Sequence, residues 1–66
     1  MLTKISSTLW ADLSKTIRVE VVRDREDVWI VEIETEDVDY QSDEYVSKSK
    51  AIEFAQEVVK SINSQS

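Results

Sequence analysis

Four residue types are missing from this chain of 66 residues, which contains no cysteine, histidine, glycine or proline. Without cysteine the chain can form no disulfide and offers no thiolate to a metal, and without histidine it lacks the commonest neutral metal ligand. We therefore expect a protein without a metal site and without a cofactor. The lack of cysteine suits a reducing compartment, so we expect a cytoplasmic location.

The same absences argue against catalysis. Nucleophilic catalysis by serine needs a neighbouring base, and the pair Ser47 and Lys50 is better explained by the start of a helix. A phosphate-binding loop rich in glycine is excluded, because the chain has no glycine. Carboxylates are plentiful, but raising a carboxyl pKa takes a desolvated pocket, and so short a chain has little interior. We expect a protein that is not an enzyme.

One acidic segment invites a test for calcium binding. Oxygen-bearing side chains occupy alternate positions at Asp37, Asp39, Gln41 and Asp43. In an EF-hand loop that begins at Asp37, the sixth position requires glycine and the twelfth requires glutamate. This chain has Ser42 and Lys48 at those positions, so we do not expect a specific calcium site.

Length and composition indicate one small globular domain over residues 1–66. Hydrophobic residues make up 41% of the chain and charged residues 33%, a balance that separates it from disordered chains. A chain of this size buries only about 60% of the surface that its unfolded form exposes, so the core must be small. The longest wholly apolar run, residues 28–31, is too short for a secretory signal or a membrane span.

Two segments alternate apolar and other residues with the period of a β-strand, at residues 17–22 and 28–35. The side chains predicted to face the core are Ile17, Val19 and Val21 on the first strand and Trp29, Val31 and Ile33 on the second. The polar connector between the strands predicts a hairpin. Because the chain lacks glycine, we expect a loop of four or five residues rather than a two-residue turn.

The third strand has a weaker pattern. We place it at residues 44–47, with an alternative that begins near Tyr40 and contains a bulge. The reason is parity: Tyr40 and Tyr45 are separated by an odd number of residues and cannot both face inward on one regular strand.

The carboxy-terminal segment has the spacing of an amphipathic helix. Its predicted buried stripe consists of Ala51, Ile52, Ala55, Val58, Val59 and Ile62, with Phe54 at the margin. Ser47 or Ser49 can cap the start of the helix, and Lys60 is expected in its last turn. The sequence therefore predicts a helix that packs across the sheet.

The first fifteen residues admit two interpretations. Apolar spacing favours a short helix over residues 6–14, and the alternative is an extended element in which Leu9 or Trp10 pairs with the sheet. In both cases the predicted fold class is α+β. It consists of a three-stranded antiparallel meander packed by a carboxy-terminal helix, plus this amino-terminal element.

Charge is distributed very unevenly along the chain. Residues 24–44 contain ten acids and one base, a net charge of −9, whereas the remainder contains four acids and seven bases, a net charge of +3. The acidic side chains predicted to form a partner-binding surface are Glu32, Glu34, Glu36, Asp37, Asp39, Asp43 and Glu44. If the second strand continues to Glu36, its three glutamates stand on one face about 7 Å apart.

That spacing is similar to the distance between neighbouring phosphates on a nucleic-acid strand. One hypothesis is therefore an inhibitor or regulator that occludes a basic, nucleic-acid-binding surface of a partner protein, of the kind that phages and mobile elements often encode. The alternative is that the acids only keep the protein soluble and discourage edge-to-edge aggregation. Direct binding to nucleic acid is not expected, because the basic residues are scattered and do not alternate with aromatic residues.

A second hypothesis concerns the outer face of the sheet. Val22, Val28 and Ile30 point outward in the predicted strands, although they are apolar. Either the amino-terminal element covers them, or they form the interface of a homodimer together with Trp10.

Overall fold

The computed structural model describes residues 2–64. In chain order the elements are β1 (Thr3–Ser6), β2 (Leu9–Ala11), β3 (Thr16–Arg25), β4 (Val28–Thr35), β5 (Asp39–Gln41) and α1 (Lys48–Ser64). Strands β3, β4 and β5 form an antiparallel sheet in that order, and β1 pairs with β2 in a separate antiparallel hairpin. The α+β class predicted from the sequence is confirmed, including the three-stranded sheet and the helix that packs on it.

The core lies on one face of the sheet. Its buried members are Ile5, Ala11, Leu13, Val31, Ile33, Ala51 and Val58. The amino-terminal hairpin, the segment after it, β4 and α1 thus contribute to a single cluster. We call the face of β3, β4 and β5 that joins this cluster the closed face. In residues 2–64 no element packs on the opposite face, which we call the open face.

The alternation predicted for β3 and β4 is confirmed at five positions of the closed face, Val19 and Val21 on β3 and Trp29, Val31 and Ile33 on β4. Val19 lies opposite Ile33, and Val21 lies opposite Val31. The prediction that Ile17 faces the core is wrong. The pairing shifts by one residue between Thr16 and Arg18 and leaves Ile17 as an extra residue. Its side chain is 62% exposed rather than buried.

The turn between β3 and β4 is also shorter than predicted. It contains two residues, Glu26 and Asp27, instead of four or five. Asp27 adopts a φ of 60° and so occupies the left-handed conformation for which glycine is usually chosen. Aspartate tolerates this conformation because its short polar side chain can form local hydrogen bonds.

The first position predicted for the third strand, residues 44–47, is wrong, and the alternative that begins near Tyr40 is closer to the structure. Strand β5 lies at Asp39–Gln41, and Tyr40 is paired with Ile33 of β4. Further along, Tyr45 forms an isolated bridge to Trp29, with both backbone hydrogen bonds at 2.8 Å. The chain is irregular between these two points. Tyr40 and Tyr45 can therefore both pack against the core despite their odd separation.

The predicted amino-terminal helix over residues 6–14 is also wrong, because this segment forms most of the β1–β2 hairpin. Trp10 pairs with Lys4 of β1, not with the main sheet. The apolar residues that favoured a helix do not share a face: Ile5 and Leu13 are buried, whereas Leu9 is exposed. Burial of Ile5 and Leu13 in the core favours the observed structure over the helix that the approximate spacing of apolar residues predicted.

The helix α1 forms as predicted, but its buried stripe is centred differently. Phe54, predicted at the margin, packs against the core together with Ala55 and Ile62. Ile52 and Val59, predicted inside the stripe, are 38% and 42% exposed. The stripe is therefore rotated toward Phe54.

The helix begins directly after Ser47, whose carbonyl accepts the N–H of Ala51 at 3.2 Å. The Ser47 hydroxyl is hydrogen-bonded to that of Ser49 at 2.9 Å. Because α1 continues to Ser64, Lys60 does not lie in its last turn, contrary to the prediction. In the described part of the chain, no helix is long and apolar enough to cross a bilayer.

Candidate functional site

The open face is built by alternate residues of β3 and β4 and by two residues of β5. Its polar members are Arg18, Glu20, Glu32, Glu34, Asp39 and Gln41. Across the strands, one row consists of Glu20, Glu32 and Gln41, and the next consists of Arg18, Glu34 and Asp39. Four carboxylates and one guanidinium give this face a formal charge of −3.

Only part of this charge is compensated within the face. A nitrogen of the Arg18 guanidinium lies 3.2 Å from a carboxylate oxygen of Glu34. The amide of Gln41 donates to Glu32 at 3.4 Å. Within residues 2–64, Glu20 and Asp39 have no ion-pair partner. Since Glu20 stands directly opposite Glu32, two like charges face each other across the strands.

A depression in the open face lies between its two rows. Its polar lining consists of Arg18, Glu32, Glu34, Asp39 and Gln41. Carboxylate and amide oxygens predominate in this lining, so it suits the charged head of a lysine or arginine better than an anion.

The predicted continuous array of seven acids is not formed. Glu32, Glu34 and Asp39 lie on the open face, but β4 ends at Thr35 and Glu36 does not extend the row. The hydroxyl of Thr35 donates to the carbonyl of Val38 at 2.6 Å and accepts the N–H of Val38 at 3.0 Å, and these two bonds turn the chain.

The other four acids lie at three places away from the open face. At the end of β4, the N–H of Glu36 donates to the carbonyl of Lys15, and Asp37 lies 3.7 Å from the Lys15 ammonium. Asp43 accepts the N–H of Ser7 at 2.8 Å and so binds the tip of the amino-terminal hairpin.

Glu44 lies beside the β3–β4 turn and forms an ion pair with Arg25, the last residue of β3, at 3.0 Å. Three of the seven carboxylates, Glu34, Asp37 and Glu44, are thus paired with the chain's own cations. These pairs are exposed, and each contributes about 0–1 kcal/mol to folding.

Glu20 is the acidic residue that sequence reasoning left out of the site. Strand alternation already predicts that it faces outward beside Arg18. Its position opposite Glu32 depends on the strand register, which the local pattern does not determine.

The predicted self-association residues do not form one surface. Val22 lies opposite Ile30 on the open face, but Ile30 is already only 8% exposed, and Val22 and Val28 are half-buried. Trp10 is 52% exposed on β2, a strand that pairs with β1 and not with the main sheet. The Lys4 ammonium lies 5.5 Å from the centroid of the Trp10 ring.

The amino-terminal hairpin does not cover the three outward-facing apolar residues, because its buried side chains belong to the closed face. Strand β1 contacts α1 and β5, and the hairpin contributes Ile5 and Ala11 to the core. The exposed Trp10 is therefore separated from Val22, Val28 and Ile30, the apolar residues of the open face.

Within residues 2–64, Asp12 and Tyr45 have shifted pKa values, and neither residue lies on the open face. The N–H of Ser14 donates to Asp12 at 3.0 Å and lowers the pKa of that carboxyl. Burial raises the pKa of Tyr45, and the negative charge of Asp43 adds to this effect. Among residues 2–64 no group of three or more acidic side chains is arranged to hold a metal ion.

No protein-family model, curated protein or solved structure matches this chain. What can be inferred about function therefore comes from the surface itself. The open face and the free edge of the sheet beside it are the two features that internal packing does not explain.

Proposed function

We propose that this chain is a non-enzymatic protein-binding module that docks its open face against a basic surface of a partner protein. In its more specific form, that surface is one with which the partner binds nucleic acid. The observation that carries the proposal is the pair Glu20 and Glu32, two acids directly opposite each other on a face that no described element covers.

This pair of like charges lowers the stability of the fold, and a small domain has little stability in reserve. Like charges directly opposite on neighbouring strands are destabilising, by an amount comparable to the roughly 0.2–1 kcal/mol that favourable pairs contribute. A lysine or threonine in place of either glutamate would keep the face soluble without the repulsion. A partner that places a cation between the two carboxylates offsets the repulsion when it binds.

The spacing on the open face supports the more specific form. Glu32 and Glu34 are two residues apart on β4, which separates them by about 7 Å along the strand. Asp39 adds a carboxylate on the neighbouring strand, beside Glu34. Lysines and arginines that normally neutralise phosphates can engage this compact group of carboxylates in the same way.

The test is affinity capture from a lysate of the protein's own cells, with a double variant of the open face as comparison. Glu32→Lys with Asp39→Lys reverses two charges on the face. Glu26→Lys with Glu57→Lys makes the same change in net charge at exposed positions in the β3–β4 turn and on α1. Captured proteins are identified, purified and titrated with each variant at low and high salt.

We expect the native chain and the control variant to bind the same basic protein, and the open-face variant to lose at least about tenfold in affinity. Binding should weaken with salt, and duplex DNA or RNA should displace the module. Equal binding by the open-face variant would overturn the proposal. Binding that nucleic acid does not displace would overturn only its more specific form.

A further inference from the structure

Strand β3 is an edge strand of ten residues, and its side away from β4 has no partner within residues 2–64. An unpaired strand of this length is a template for another strand, and proteins commonly protect such edges with proline, bulges or short length. This strand has no proline, and its two irregularities lie near its ends, at Thr16–Arg18 and Arg23–Arg25. The stretch between them is free to pair.

The backbone groups on this free edge can be identified from the other side of β4. Trp29 and Val31 exchange hydrogen bonds with Tyr45 and Ser42, so the backbone N–H and C=O groups of these two β4 residues point away from β3. Because hydrogen-bonding directions alternate along a strand, the residues between them in β4 bond to β3. On β3 it is therefore Val19 and Val21 that direct their N–H and C=O groups to the free edge.

The helix presents apolar side chains above the same edge. Phe54 and Ser61 mark the flank of α1 that faces the amino-terminal hairpin, since Ser61 is hydrogen-bonded to Thr3 at 3.0 Å and Phe54 lines a depression together with Ile5. Ile52 and Val59 each lie two residues before one of these, about 160° around the helix axis. They face the β3 side.

We propose that two copies of this chain pair antiparallel along β3, about a two-fold axis at Val19, and form a continuous six-stranded sheet. In this register Val19 lies opposite its own copy, and Arg18 of each chain lies opposite Glu20 of the other. The exposed flanks of the two α1 helices, with Ile52 and Val59, approach each other on the closed side of the joined sheet.

The charged residues of β3 favour this register over registers with the axis at a neighbouring residue. An axis at Glu20 or at Arg18 would set like charges opposite each other, which is destabilising. An axis at Val21 would set Glu20 opposite a valine and Val19 opposite Arg23. Only the axis at Val19 gives Glu20 a cation, which it lacks in the single chain.

This inference shares one residue with the proposed function, because Glu20 meets Arg18 of the other chain in the dimer. Pairing at β3 uses neither Glu32 nor Asp39, the two residues that are changed in the capture experiment, so the two tests can fail separately. This inference also differs from self-association through the open face, which would cover the carboxylates. In the edge-paired dimer the two open faces join side by side and stay accessible.

A charge-exchange experiment tests both the dimer and its register. Sedimentation velocity is measured over a concentration range of about 100-fold for the native chain, for Arg18→Glu, for Glu20→Arg and for an equimolar mixture of the two variants. Each variant alone sets like charges opposite each other at both symmetric positions. In the mixture every such pair is of opposite charge.

We expect the native chain to dimerise as its concentration rises, each single variant to associate at least about tenfold more weakly, and the mixture to form a heterodimer. A native chain that stays monomeric at the highest concentration would overturn the proposal. So would a mixture that associates no better than its components. A Glu20→Arg variant that dimerises normally would overturn the axis at Val19.

A second pair of variants tests the helix flank. Ile52→Glu introduces a charge at the proposed contact between helices, and Val46→Glu makes a similar change at an exposed valine on the β5 side of the sheet. We expect Ile52→Glu to weaken the dimer and Val46→Glu to leave it unchanged, with far-ultraviolet circular dichroism confirming that both fold. Equal behaviour of the two variants would contradict the proposed packing.

Discussion

The two faces of β4 have opposite characters. On the closed face Val31 and Ile33 have no exposed surface and pack against the helix and the amino-terminal hairpin. On the open face Glu32 and Glu34 alternate with them, and Glu32 meets the like charge of Glu20. One face is thus arranged for folding, whereas the other carries a charge pattern that does not favour folding.

The largest effect is expected on the closed face. Replacing Ile33 by alanine removes a fully buried side chain, and such substitutions cost about 2–5 kcal/mol. Small domains are stabilised by only about 5–15 kcal/mol, so Ile33→Ala should unfold at a much lower urea concentration, as measured by circular dichroism. Val22→Ala on the open face is the matched control, because Val22 is only half-buried. Equal losses in the two variants would show that the faces are not energetically distinct.

A smaller effect of opposite sign is expected on the open face. Glu32→Lys converts the like pair with Glu20 into an opposite pair and should raise the free energy of unfolding by about 0.2–1 kcal/mol. Glu36→Lys makes the same change in net charge beyond the strand end. If both variants gain equally in urea unfolding, relief of the overall negative charge explains the gain and the local repulsion does not.

The smallest effect concerns the margin of the closed face, where Tyr45 packs beside Phe54 with ring centroids 5.9 Å apart. Burial raises the pKa of Tyr45 above the usual 10.0, so the folded protein holds this proton more tightly than the unfolded chain. The associated stability is present below pH 10.0 and is lost as the pH rises through the raised pKa. Tyr45→Phe should therefore lose less stability than the native chain above pH 10.0.

The measurement is urea unfolding at a series of alkaline pH values. Lysines titrate in the same range in both proteins, so the difference between the two curves isolates the tyrosine. Parallel curves would show that its phenol is equally accessible in the folded and unfolded states.

Strands β3 and β4 were predictable because their alternation extends over many residues and one side of it is buried. The core positions Val19, Val21, Val31 and Ile33 follow from this pattern alone. Ile17 was not predictable, because a one-residue shift in pairing at the start of β3 leaves it outside the regular ladder. Such a shift depends on the partner strand and leaves no trace in the local pattern.

The shorter elements were predicted less well. The hairpin of β1 and β2 contains strands of four and three residues, too short to show a reliable period. Strand β5 is also short, and the hydroxyl of Ser42 accepts the N–H of Val31 at 2.9 Å where a regular ladder bond would be expected. Because serine is polar, Ser42 does not contribute to the apolar alternation from which a strand is predicted.

By itself the sequence determined the fold class, the two long strands, the helix and the excess of acid after residue 24, because periodicity and composition are local properties. The tertiary structure decided which carboxylates share a face. Arg25 and Glu44 are 19 residues apart and pair only because the strands bring them together, whereas Glu20 and Glu32 come to stand opposite each other through the strand register. Strand register and long-range ion pairs depend on which face of each strand is buried and on which element covers that face. Both are determined only when the whole chain packs.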